Sequence, residues 1–100
     1  MAEVKWTSQS IEDIGNIAEY VSKDSVRYAE MFVEKIFERA EILNSHSHAG
    51  RMVPEIGEKT IRELILGNYR IIYKIYTSRI DVLTVHHSAR PIENSSLFEK

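Results

Sequence analysis

Residues 61–90 read IRELILGNYR IIYKIYTSRI DVLTVHHSAR, and this stretch decides the fold. Apolar and polar residues alternate from Ile61 to Leu66 and again from Tyr69 to Ile75, the period-two signature of half-buried strands. Gly67 and Asn68 lie between them, and both residue types tolerate positive φ, so the spacing predicts a two-residue antiparallel hairpin. A third strand, Ile80 to His86, follows a turn at Thr77-Ser78. Its Val82, Leu83 and Val85 put apolar groups on both faces, which predicts a central strand with neighbours on either side. Tyr69, Ile71, Tyr73 and Ile75 share one face and should be buried, while Arg62, Arg70 and Lys74 read as charges on a solvent-facing side.

Upstream, the period changes from two to 3.6. Ile11, Ile14, Ile17, Ala18 and Val21 recur at helical spacing after Thr7, a plausible N-cap with Ser10 as its competitor. After a break at Asp24-Ser25, a second stripe runs through Ala29, Phe32, Val33, Ile36, Ala40 and Leu43. So short a break makes the two helices antiparallel neighbours, and both dry stripes need a common apolar partner. Val4 and Trp6 suggest a short strand before Thr7, and His46 to Glu58 reads as a loop interrupted by Gly50 and Pro54. The expected fold is α+β, a single domain over residues 1–100 with 91–100 as a C-terminal tail. A short N-terminal strand and a two-helix hairpin pack on a small, mainly antiparallel sheet in the order βααβββ. One face of that sheet is shielded by the helices, and the other is expected to stay free.

A chain of 100 residues with 43% hydrophobic and 28% charged side chains suits one compact core and leaves no room for a second. The absence of cysteine excludes disulfides, thiolate metal sites and cysteine nucleophiles. No secretory pattern opens the chain and no apolar run approaches the ~20 residues that cross a bilayer, so the expected location is the cytoplasm, away from membranes. Net charge is −2, with five basic and nine acidic side chains in residues 1–45 against eight and six in residues 46–100. Positive potential therefore belongs to the sheet half. No cofactor or metal is expected: His46 and His48 lie in a Ser-rich loop, and adjacent His86 and His87 are not spaced as a same-face pair. By strand alternation at most one of that pair faces a given site.

Several phrases in order then carry a resemblance. Trp6-Thr7 precedes an Ile-rich helix and Gly50-Arg51 precedes Pro54-Glu55. Arg62-Glu63-Leu64 is followed by Tyr69-Arg70-Ile71-Ile72-Tyr73, and Val85-His86-His87 by Arg90-Pro91. Together they resemble the RelE/ParE superfamily of small bacterial toxins over nearly the whole chain. The resemblance implies a growth-inhibiting toxin neutralised by a cognate antitoxin. ParE-like members, linked to plasmid stabilisation, inhibit DNA gyrase by binding, and RelE-like members cut messenger RNA on the ribosome.

RNA cleavage through the 2′-hydroxyl needs a base, an acid and cations for the growing phosphate charge. Arg70 matches the phosphate-contacting strand arginine of RelE-like enzymes, with His87, Arg90 and Glu63 as its candidate catalytic companions. Against a nuclease, Ile61 and Glu63 stand where RelE places paired lysines, and no tyrosine occurs in the C-terminal segment. A net-acidic chain also gains little from counterion release on RNA. The expectation is therefore a ParE-like inhibitor that binds its target through Arg62, Arg70, His86, His87 and Arg90. The alternatives are a ribosome-dependent endoribonuclease and a non-toxic module that only binds an antitoxin.

Overall fold

The computed structural model describes residues 2–95 and residue 97. A strand β1 (Glu3–Trp6) leads into helices α1 (Ser8–Ser22) and α2 (Val26–Ala40), the second extended by a 3-10 turn at Glu41–Asn44. Strands β2 (Arg51–Met52), β3 (Ile61–Leu66), β4 (Tyr69–Ile75) and β5 (Arg79–His87) follow, then a 3-10 turn at Ile92–Asn94. The expected α+β order is present with one addition. Strand β2 lies inside the segment expected to be a loop, pairing Arg51 with Glu63 and Met52 with Arg62. Two residues are too few for any alternation to be legible.

Thr7 caps α1, its hydroxyl accepting the Ser10 amide at 3.1 Å, and Ser10 returns a bond to the Thr7 carbonyl at 2.7 Å. Ser25 does the same for α2 through the Tyr28 amide at 3.1 Å. The hairpin turn has the expected length and differs in its φ pattern. Gly67 alone takes a positive φ, at 55°, and Asn68 does not, the pattern of a type II′ rather than a type I′ turn.

The sheet runs β1-β5-β4-β3-β2, with β1 parallel to β5 and every other pair antiparallel. The parallel pair is possible because the chain between its two strands, residues 7–78, holds the helix hairpin and β2 to β4 and is far longer than the crossover such pairs need. Strand β5 has neighbours on both sides as expected, yet β4 is the middle strand. Moreover β1 reaches only Arg79 to Val82, so β5 runs on past the end of its partner.

The apolar doublet Val82-Leu83 has a specific cause. Ile72 pairs with Thr84 and Tyr73 with Val82, which leaves Leu83 as an extra residue, a β-bulge. The bulge resets the alternation, so Ile80, Val82 and Val85 all join the helix-side core while Leu83 packs on the opposite face. That core gathers Ile14, Phe32, Ile36, Ala40 and Leu43 from the helical half with Leu64, Ile71 and Tyr73 from the sheet.

The other face is not free. Val53, Ile72 and Ile92 form a second buried cluster, flanked by Ile56, Ile61, Leu83 and Leu97. The loop after β2 and the segment after β5 thus cover the side that was expected to stay open. Ile61, Ile72 and Leu83 on that side leave apolar area that water would otherwise wet, and covering it is favourable at about 25 cal/mol per Å2.

Candidate functional site

Arg70 sits on the far face of β4, opposite Ile65 on β3 and His86 on β5. It is buried rather than solvent-facing, with 8% of its side chain exposed. Its Nε donates to Glu63 Oε1 at 2.5 Å, and Nη1 and Nη2 donate to the two carboxylate oxygens of Glu55 at 2.9 and 2.8 Å. Glu63, wholly buried, also accepts from Arg51 Nε at 2.6 Å. A four-member chain Arg51–Glu63–Arg70–Glu55 results, closing the loop after β2 onto the sheet. The Arg70 guanidinium holds the Glu55 carboxyl down at about pKa 2, and the two carboxylates push Arg70 further up.

Beside this chain, Tyr73 and Gly50 fix the start of the same loop. The Tyr73 hydroxyl accepts the Gly50 amide at 2.9 Å and donates to the Ser47 carbonyl at 3.0 Å, while burial pushes its pKa up. Any side chain at Gly50 would collide with the Glu63 backbone and the Tyr73 hydroxyl. Arg62 is spent here too, its Nη1 donating to the Gly50 carbonyl at 3.0 Å and its Nε to that of Lys59 at 3.1 Å. Of the five residues expected to bind a target, Arg62 and Arg70 are therefore occupied by the protein's own loop. Sequence pattern alone missed this because Glu55, the partner of Arg70, lies 15 positions away in a loop.

His86, His87 and Arg90 come together elsewhere. They line a groove of about 620 Å3 between α1 and the end of β5, with Gln9, Glu12, Asp13, Asn16 and Tyr20 along its helical wall. Both histidines reach it although strand alternation puts them on opposite faces, because the groove runs along the outer edge of β5 rather than across one face. His87 stacks edge-on against Tyr69 at 4.9 Å, and His86 Nε2 meets the Arg90 carbonyl at 3.2 Å. Thr84 donates to Asp13 Oδ2 across the floor, tying α1 to the strand. The site's positive members thus face an acidic wall that the sequence reading did not bring near them.

Glu63, the candidate acid–base residue, lies on β3, two strands away from β5, locked between Arg51 and Arg70. Among the described residues no three His, Asp or Glu side chains stand close enough to hold a metal ion.

The fold and this placement can be set beside known proteins. A family model, the ParE toxin of the type II toxin–antitoxin system parDE, matches residues 4–92. The chain belongs to the ParE toxin family. A solved structure described as a chromosomal ParDE toxin–antitoxin system from P. aeruginosa superposes with a TM-score of 0.73 at 22% identity, covering 87% of this chain and 96% of that one. No curated protein matches the chain significantly. As a ParE-family toxin of a type II system, the protein implies an antitoxin partner. No helix among the described residues is long and apolar enough to cross a membrane.

Proposed function

We propose that this ParE-family toxin arrests growth by binding DNA gyrase in the cytoplasm, without hydrolytic chemistry of its own, until a cognate antitoxin covers it. The observation that carries the reading is the commitment of Arg70: its Nε, Nη1 and Nη2 all hold carboxylates, and Glu63 is enclosed between two guanidiniums. An arginine so neutralised offers little to an RNA phosphate, and the buried Glu63 has no path to a 2′-hydroxyl. Target contact falls instead to His86, His87 and Arg90 along the groove.

Purified toxin added to a gyrase supercoiling assay should block supercoiling, and the same amount added to a cell-free translation reaction should leave messages intact. Cut messages with unaffected supercoiling would overturn the proposal.

One observation favours the endoribonuclease as a second reading. Two imidazoles and an arginine share a groove, and imidazole is the side chain suited to proton transfer at neutral pH. His87→Ala separates the two, since a nuclease would lose cleavage while its affinity for RNA is retained.

A further inference from the structure

The segment after β5 passes from the groove to the far side of the sheet within a few residues. Ala89 and Arg90 line the groove beside α1, whereas Ile92 is buried with Val53 and Ile72 on the face turned away from the helices. Upstream the ladder holds as far as Ser88, whose amide donates to the Asn68 carbonyl at 2.7 Å. Arg90 therefore sits on a short bridge between two fixed points, Ser88 and Ile92.

That bridge has little slack. The Arg90 amide donates to the His87 carbonyl at 3.1 Å, and the Arg90 carbonyl, which can only accept, takes a bond from His86 Nε2 at 3.2 Å. Pro91, with φ at −56°, is the one residue between Arg90 and Ile92, and its ring lets that angle move by only about 15°. Beyond Ile92 the Ser95 amide returns to the Ile92 carbonyl at 2.9 Å, and Leu97 packs on the same cluster. The Arg90 side chain is exposed, so its place in the groove is set by its backbone rather than by packing of its own.

The seat of Ile92 is itself clamped. Val53 stands two residues before Glu55, whose carboxylate is gripped by Arg70 at 2.8 and 2.9 Å, and the Val53 amide donates to the Ile61 carbonyl at 3.3 Å. The buried charge network thus holds one wall of the Ile92 seat in place. We infer that Ile92 is a positioning residue: lodged between Val53 and Ile72, it fixes the bridge that aims Arg90 into the groove, and the Arg70–Glu55 pair acts on target binding through that seat. The inference rests on the proposed reading of Arg90 as a target contact. Segments held by a few apolar contacts open on their own, and Ile92 belongs to the smaller of the two buried clusters, so losing it frees this segment before the helix-side core.

The test is amide hydrogen exchange on the full-length toxin, paired with gyrase inhibition. In Ile92→Ala, exchange at Arg90 and Ser95 should rise about tenfold or more, the consequence of emptying a buried isoleucine site. The Ser88 and Ile75 amides, bonded to Asn68 and Thr60, should keep their rates. Ile92→Val, which keeps a branched plug, should raise exchange at Arg90 and Ser95 by only about threefold. The toxin concentration that halves supercoiling should rise about tenfold in Ile92→Ala, and adding Ile92→Ala to Arg90→Ala should weaken inhibition no further. Unchanged exchange at Arg90 and Ser95, an equal rise at every amide in both variants, or losses that add in the double variant would each overturn the inference. A parent toxin that leaves supercoiling untouched overturns the proposed target instead, while the exchange rates still decide whether Ile92 holds Arg90.

Discussion

Arg70 shows how a residue that reads as chemistry can be architecture. Its burial with Glu63 is tolerable only because each charge finds a partner, and removing one partner leaves the other stranded in a dry site. Arg70→Ala should therefore cost about 3–5 kcal/mol in chemical denaturation, whereas the double replacement of Arg70 and Glu63 by Met should recover most of that loss. Loss of toxicity in Arg70→Ala would consequently say nothing about catalysis. Glu55 gives the same network a pH signature. Its folded-state pKa of about 2 lies below its ordinary 4.5, so the unfolded chain binds a proton before the folded one does. The stabilisation is complete above about pH 4.5 and fades as pH falls toward 2. Because the Glu55 side chain is 38% exposed, solvent screens part of this effect. Glu55→Gln should flatten the acid limb of the stability profile, measured by denaturation at several pH values between 2 and 5, and leave the neutral region changed far less by comparison. At Gly50 the constraint is space. Gly50→Ala should destabilise by about 1–3 kcal/mol, because the backbone of Glu63 cannot yield to a methyl group.

At the level of elements, Thr7 does two jobs where Ser25 does one. Both cap helices, but the Thr7 hydroxyl also donates to the Val82 carbonyl and so marks where β1 leaves β5. Thr7→Val should accordingly lower stability by about 2 kcal/mol and Ser25→Ala by about 1 kcal/mol, compared by urea unfolding. Apart from the two-residue β2, the strands and helices were legible in the sequence almost to the residue, because periods of two and 3.6 are local properties of the chain: Ile61–Leu66 and Tyr69–Ile75 have the bounds expected of them. The bulge at Leu83 was not. Apolar groups at 82, 83 and 85 fit a strand buried on both faces equally well, and only the partner strand reveals that one residue is unpaired. That bulge decides that His87 joins Tyr69 on the helix side while His86 lies across from Arg70.

Over the whole molecule, the charge asymmetry of the sequence does not become a positive platform. Arg51 and Arg70 are neutralised by Glu63 and Glu55, Arg79 pairs with Asp81 at 3.1 Å, and Arg62 is used on carbonyls. Lys59 lies in the loop before β3 and Lys74 sits over the Tyr76 ring, while Arg90 stands with the two histidines in a groove whose other wall is acidic. Arg90→Glu should weaken inhibition of the target by about tenfold, read as the toxin concentration that halves gyrase activity. Its stability should stay within about 0.5 kcal/mol of the parent, since the side chain is exposed. The sequence by itself determined every element but β2, their order and the family resemblance, because hydrophobic periodicity and turn chemistry act over a few residues. Which cations are left to act on another molecule was decided only by the tertiary structure. Burial brought Glu55 and Glu63 to Arg70 from 15 and seven positions away, and a charge that leaves water must find its counter-ion wherever the fold delivers one.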